Sequence, residues 1–255
     1  MSDILASLVI AFSFFTIIPM PTIDWTPGRM KHVPMMMPII GLVLGLMTYA
    51  LFSILQVLDI TPILKGVLLC LTYLIYTGAL HVDGYIDTAD AYFSRRSIEE
   101  KLIIMKDSNV GAFGATALVF YAITKTAVLS EICVRGSINV NKYGILLIFI
   151  PIISRLLQSS MIYLFKPAKQ NGLSRMFGEL DSRVTIIHFL ILVIIAISLF
   201  VIIGAKALIL PSAAMLYYIL FYFSSKKHFG GITGDLMGAF LEVSELIMLM
   251  SLIFI

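Results

Sequence analysis

Eight apolar runs, at about 4–21, 34–58, 62–80, 110–134, 143–165, 185–204, 208–224 and 235–255, occupy most of this 255-residue chain. Each is close to the roughly 20 residues that carry a helix across a bilayer. Backbone in hydrocarbon has no water to bond, so runs of this kind must be helical. The expected fold class is therefore all-α, a polytopic integral membrane helix bundle of about eight spans forming one domain, 1–255. Only Ala205, Lys206 and Ala207 separate the sixth and seventh runs, which form either a tight hairpin or one broken segment over 185–224, leaving seven spans. A charged fraction of 13% lies far below the soluble norm of about 25% and supports the membrane setting.

The start, Met1, Ser2 and Asp3, lacks a basic n-region, and Pro19 and Pro21 follow the first run with no small-residue cleavage pattern, so a mature span is expected there. Cys70 and Cys133 fall inside apolar runs without C-x-x-C spacing and read as packing residues.

Lysine and arginine set the orientation. The connections after odd-numbered runs hold Arg29, Lys31, Arg95, Arg96, Lys101, Lys106, Lys166, Lys169, Arg175, Arg183, Lys226 and Lys227, against Lys65, Arg135, Lys142 and Lys206 on the other side. The odd connections are expected in the cytoplasm and both termini outside, in a multi-pass protein of the cell (inner or plasma) membrane. The net charge of +3 suits loops facing anionic membrane lipids; with no basic stripe interleaved with aromatics, no nucleic-acid partner is expected.

The chemistry concentrates between Gly78 and Gly114. G-A-L-H-V-D-G-Y-I-D-T-A-D directly follows an apolar run, and I-M-K-D-S-N-V-G-A-F-G directly precedes the next. On a helix, Asp83, Asp87 and Asp90 fall within an arc of about 60°, so their carboxylates share one face. Solvated caps at the end of a span are one explanation. Three carboxylates on one face also suit one or two divalent cations, Mg²⁺ or Mn²⁺, with water and phosphate completing the shell; no Cys/His set points to zinc. His81 reads as a metal ligand, a general base or an interfacial residue bonded to backbone. Gly84 either permits close approach of a phosphate or makes a turn.

Ser97 to Glu100 reads as a capping box, with Ile98, Leu102 and Met105 at helical spacing, so a short amphipathic helix is expected on the membrane surface near 97–106. It leads into Lys106, Asp107 and Ser108, and glycines at 111 and 114 open the next run. A helix start offers free N–H groups to phosphate. Lys106 would neutralise phosphate and Asp107 would complete the metal shell. Gly230 to Asp235 repeats the design: consecutive glycines before a helix, with Lys226, Lys227 and His228 ahead and Thr233, Gly234 and Asp235 at the start. A flexible hairpin would look the same.

Glu242 and Glu245 lie inside the last apolar run and should face a polar interior, since a charge at mid-membrane costs about 2.5–3.5 kcal/mol. Lys125, Glu131 and Arg155 are candidate partners, in a structural salt bridge or around a substrate. Met35 to Met37, Tyr217, Tyr218 and Phe221 read either as ordinary helix packing or as the lining of a large apolar pocket.

Together, the two blocks around Asp83 and Asp107, G-G-I-T-G-D-L-M-G-A-F-L-E-V-S-E, and the early F-F-T-I-I-P-M-P and M-P-I-I-G-L-V-L-G-L resemble the signature blocks of the cobalamin synthase family, the adenosylcobinamide-GDP ribazoletransferases. The resemblance runs nearly the whole chain in order. Ala79 and Ala91 stand where many relatives have glycine. It implies a membrane-bound, Mg²⁺-dependent phosphotransferase that joins adenosylcobinamide-GDP to α-ribazole, or its 5′-phosphate, and releases GMP late in cobalamin biosynthesis. On that reading, Asp83, Asp87, Asp90 and Asp107 hold metal. His81 or a free aspartate takes the hydroxyl proton. Lys106 and the two glycine-rich helix starts, with Gly84, Ser108, Gly111, Gly114, Lys227, Thr233, Gly234, Asp235 and Glu242, hold substrate or phosphate.

A CDP-alcohol lipid headgroup phosphotransferase would share the metal site. A cation-coupled transporter would use the intramembrane charges but should show inverted repeats, and none is visible. A structural subunit would leave the aspartates unexplained. The sequence leaves oligomer formation open.

Overall fold

The computed structural model describes residues 2–168, 177 and 183–255, and each apolar run is helical there. Along the chain run α1 (Asp3–Phe15), a one-turn α2 (Pro27–Met30), α3 (Val33–Val57), α4 (Pro62–Thr77), α5 (Leu80–Phe93), α6 (Ile98–Ile104), α7 (Ala112–Gly136), α8 (Val140–Leu164), α9 (Arg183–Ile203), α10 (Ile209–Phe229) and α11 (Gly234–Ser251). The described residues contain no strand beyond one isolated bridge between Pro167 and Ile232. Lys169 and Arg175, which enter the charge argument, lie outside the described residues.

Among the described residues six helices, α3, α7, α8, α9, α10 and α11, are long and apolar enough to cross a membrane, so this is a multi-pass membrane protein. The expected count of eight is not met in full, because the first and third runs make short helices. α1 has 13 residues, about 20 Å of rise against a hydrocarbon core of about 30 Å. It stops where Thr16 turns extended and bonds back to Phe12 O, ahead of Pro19 and Pro21, and Ile17 N then donates to Tyr76 O at 3.0 Å. α4 ends at Thr77, where Gly78 (φ 58°) and Ala79 (φ 64°) both take the left-handed conformation and turn the chain by 93° into α5. The 185–224 region is two helices, separated by Gly204 at φ 105° and a 3-10 turn, Ala205–Leu208.

Packing follows small residues. On α3, Gly41 and Gly45 lie so close to α8 that a Cβ would collide with Pro151 O and Ile148 O, the small-xxx-small device of membrane helices. α8 and α11 are the most enclosed spans, whereas α9 turns Ile186, Leu190, Val193, Ile197 and Val201 outward, a face that lipid can cover.

α5 carries three carboxylates in 14 residues, and we read it as lying outside the spanning segments. It is wedged between α7 and α11 at the end of the bundle where both begin. Gly84 meets the Asp235 backbone, Gly238 meets His81, and Gly114 meets Ile86 and Asp90. α6 closes that end. Its capping box is formed: Ser97 Oγ accepts from Glu100 N at 3.3 Å, and the Glu100 carboxylate accepts from Ser97 N at 3.0 Å. It is a little shorter than the expected 97–106, tightening into a turn as Lys106 N and Asp107 N donate to Ile103 O and Ile104 O.

Candidate active site

α5 places Asp83, Asp87 and Asp90 on one face, and the crossing with α11 at Gly84 brings Asp235 to that face. Asp83 is exposed, and Asp87 and Asp90 are half-buried. Burial, with the charges of Asp83, Asp235 and Asp90 acting in the same direction, pushes the Asp87 carboxyl up to about 6. So much unbalanced negative charge around one carboxylate is the electrostatic condition that a cation relieves. Among the described residues no three His, Cys, Asp or Glu side chains close on a single point as a preformed metal cage. An open acidic face still suits Mg²⁺, which keeps most of its waters and takes one or two carboxylates plus substrate phosphate.

Asp90 also has a local task. Its Oδ2 accepts from Gly111 N at 2.8 Å and its Oδ1 from Gly114 N at 2.9 Å, so a carboxylate of α5 caps the start of α7. The anion at that helix start, expected to be phosphate, is here the protein's own. Asp107 is not among the carboxylates acting on Asp87. It lies on an exposed turn, where its Oδ1 accepts from Asn109 N at 3.0 Å and Asn109 Nδ2 at 2.8 Å, which holds its carboxyl below the usual range. Asp235, expected with the phosphate-binding residues, stands beside Asp83 instead.

Lys106 and Ser108, on the connection before α7, and Lys227, in the last turn of α10, are exposed at the α5 end of the bundle, available to an anion from solution. Thr233 caps α11, its Oγ1 accepting from Leu236 N at 3.2 Å, with Gly234 as the first helical residue. Gly84 serves helix packing, since a Cβ would come within 2.8 Å of Asp235 Cα.

Glu242 sits deeper, in a buried network. Tyr121 donates to its carboxylate, Lys125 Nζ lies 3.3 Å from it, and Lys125 also reaches Glu245 at 3.9 Å. Arg155 binds Glu245 at 2.7 Å, and Ser154 Oγ donates to the same oxygen at 3.0 Å. Two cations balance two carboxylates across α7, α8 and α11. Glu131 is not part of it, pairing with Arg135 on its own helix at 2.7 Å.

His81 is 4% exposed, its ring nearly parallel to that of Phe15, and neither ring nitrogen has a hydrogen-bond partner among the described residues. Burial, with the Arg155 charge adding to it, holds the imidazole down at about 4, so it is neutral near pH 7. It lines a cavity of about 230 Å³ that also touches Asp83 and Asp235. Gln158 of α8 enters the same cavity. Neither Gln158 nor Phe15 was singled out from the sequence, although a glutamine inside an apolar span is the kind of signal that could have found the first.

On the other side of α5, a second cavity of about 440 Å³ opens between α5, α10 and α11, with Tyr85, Tyr92, Tyr217 and Phe221 on its walls. Tyr217 and Phe221 thus line a pocket. Tyr218 instead accepts from Ser160 Oγ at 2.9 Å, and Met36 and Met37 pack in the core between α1 and α3.

The family model described as cobalamin-5-phosphate synthase matches residues 7–253. An adenosylcobinamide-GDP ribazoletransferase of Clostridium perfringens is 36% identical over 91% of this chain and 91% of its own. Proteins of the same name from Clostridium botulinum and Escherichia coli are 32% and 33% identical, over 98% and 94% of this chain and 98% and 96% of theirs. No solved structure matches the chain significantly.

Proposed function

Because the chain belongs to the cobalamin-5-phosphate synthase family, we propose that its acidic face supports a Mg²⁺-dependent transfer of the adenosylcobinamide phosphate from GMP to α-ribazole or α-ribazole 5′-phosphate. The protein is a transferase of a phosphate-containing group, as its named relatives are. What carries the metal-dependent reading is the meeting of Asp83, Asp87 and Asp90 on α5 with Asp235 on α11, whose charges add to burial in raising Asp87 to about 6.

In the reaction a ribose hydroxyl of α-ribazole attacks the phosphorus next to cobinamide. The bond from that phosphorus to the oxygen shared with GMP breaks, and GMP leaves with the electron pair. Asp83, Asp87 and Asp235, with the outer lone pairs of Asp90, would hold Mg²⁺ or Mn²⁺. When bound, the cation supplies charge neutralisation for the diphosphate and for the leaving oxygen. Lys106, from the connection before α7, and Lys227, from the last turn of α10, would approach the phosphates, with Ser108 and the Thr233-Gly234 helix start. His81, beside Asp83 and with no hydrogen-bond partner among the described residues, would accept the hydroxyl proton, a role that an aspartate left free by the cation could also take. The Lys125 and Arg155 network lies behind this face, so Glu242 supports the site from below. We place the acidic face on the cytoplasmic side of the cell membrane, where the basic connections also lie.

The test is product formation by purified protein in liposomes supplied with adenosylcobinamide-GDP and α-ribazole, with CDP-alcohol acceptors in parallel. Cobalamin and GMP in equal amounts are expected. Turnover of CDP-alcohols without use of cobinamide would move the protein to lipid headgroup transfer.

A further inference from the structure

The cavity of about 230 Å³ lies at one end of the bundle between α1, α5, α8 and α11, and two of the buried side chains that line it carry polar atoms with no hydrogen-bond partner among the described residues. His81 is 4% exposed and Gln158 is 2% exposed. Gln158 Nε2 donates to Met237 O at 3.0 Å, which fixes the amide and leaves Oε1 as the unsatisfied end. Neither ring nitrogen of His81 has a partner among the described residues, and in the neutral ring one is a donor and the other an acceptor. Leaving such atoms dry and unpaired is costly, and native structures rarely do so without a ligand or water to pair them.

The cavity therefore asks for a guest with a hydroxyl donor for Gln158 Oε1, and an acceptor and a donor for His81. Its remaining walls restrict the guest further. Phe14, Phe15, Leu80, Ile162 and Met237 are apolar, and the Phe15 ring lies within 7° of parallel to that of His81, so the polar demand is confined to one side of a flat, greasy slot. Among the described residues the lining holds no lysine or arginine, while Asp83 and Asp235 form its edge, so these walls do not draw an anionic group inside. The corrin macrocycle is several times too large. Guanine fits poorly, because it carries polar groups along most of its edge and would leave several unpaired against phenylalanine and methionine.

We propose that this cavity is the subsite for the attacking nucleoside, holding the apolar benzimidazole base and ribose of α-ribazole, with Gln158 and Phe15 as positioning residues. The inference rests on the transferase reading above and deepens it. The base slides between apolar walls, its unsubstituted ring nitrogen faces His81, and a ribose hydroxyl donates to Gln158. Asp83 and Asp235 then stand at the mouth, where the ribose comes nearest to the phosphates of the second substrate. A 5′-phosphate, if present, stays outside the cavity. α-Ribazole and its 5′-phosphate share the group that the cavity reads.

The experiment uses the full-length enzyme in liposomes and measures KM separately for α-ribazole and for adenosylcobinamide-GDP, in the wild type, Gln158→Leu and Ile162→Trp. Thermal unfolding of each variant reports folding. Loss of one buried hydrogen bond should raise KM for α-ribazole about tenfold in Gln158→Leu, with KM for adenosylcobinamide-GDP within about twofold. Ile162→Trp, which fills the slot, should abolish saturation by α-ribazole. A rise confined to adenosylcobinamide-GDP would place guanine in the cavity, and unchanged constants for both substrates in folded variants would show that no substrate uses it. Equilibrium dialysis of α-ribazole without the second substrate separates the two readings. Wild type that binds α-ribazole in a Gln158-dependent way but makes no cobalamin would keep the subsite and overturn the reaction. Cobalamin formation with Gln158-independent binding would do the reverse.

Discussion

Gly84 of α5 lies directly against Asp235 of α11, so close that a Cβ at 84 would come within 2.8 Å of both Asp235 Cα and Asp235 O. The contact joins an acidic helix to a carboxylate some 150 residues away in sequence. Backbone atoms cannot swing aside as a side chain can. Gly84→Ala is therefore expected to separate the two helices, costing about 1–3 kcal/mol of stability and most of the turnover. Gly238→Ala, whose Cβ would lie 3.0 Å from His81 O, should be milder in both. Thermal unfolding in detergent and initial rates would show the order.

The Asp90 cap gives a separable effect. Asp90→Ala removes both hydrogen bonds from Gly111 N and Gly114 N and should lower stability by about 1–2 kcal/mol. Because Asp83, Asp87 and Asp235 remain, the variant should retain a response to Mg²⁺. Unfolding midpoints and Mg²⁺ titrations on the same preparation would separate cap from ligand.

In the buried network, Lys125→Met leaves Glu242 without its cation and should cost about 3–5 kcal/mol. Lys125→Met combined with Glu242→Gln should recover much of that loss, since no unbalanced charge is then buried at that pair. Denaturant unfolding of the single and double variants measures the difference.

Ala79 holds a left-handed φ of 64° at the break between α4 and α5, where a Cβ is strained by about 1–2 kcal/mol. Ala79→Gly should raise the unfolding temperature with little change in rate. Relatives with glycine at this place would have the relaxed form of the same turn.

The helices themselves were legible because hydrophobic run length is a local property, and so was the capping box at Ser97 and Glu100, which is complete within four residues. The shared face of Asp83, Asp87 and Asp90 followed from helical spacing alone. What spacing could not reveal is which distant carboxylate joins them. Asp107 is close in sequence but turns to Asn109, and Asp235 arrives through a helix crossing that depends on glycine at 84. Likewise, the glycine N–H groups at 111 and 114 look free in sequence and are bonded to Asp90 in space. The partners of Lys125 and Arg155 were named as candidates, but only packing shows that Glu131 stays with Arg135. The two short helices, α1 and α4, escaped because an apolar run can continue past a chain turn, as it does from Thr77 through Gly78 to Leu80.

The most direct test of the account is the Mg²⁺ dependence of cobalamin formation in wild type, Asp235→Asn and Asp107→Asn, with EDTA as the zero point. We expect no product in EDTA, a large loss of Mg²⁺-supported rate in Asp235→Asn, and a much smaller change in Asp107→Asn. Full Mg²⁺-supported activity in Asp235→Asn together with its loss in Asp107→Asn would contradict the assembly of the site at the α5–α11 crossing.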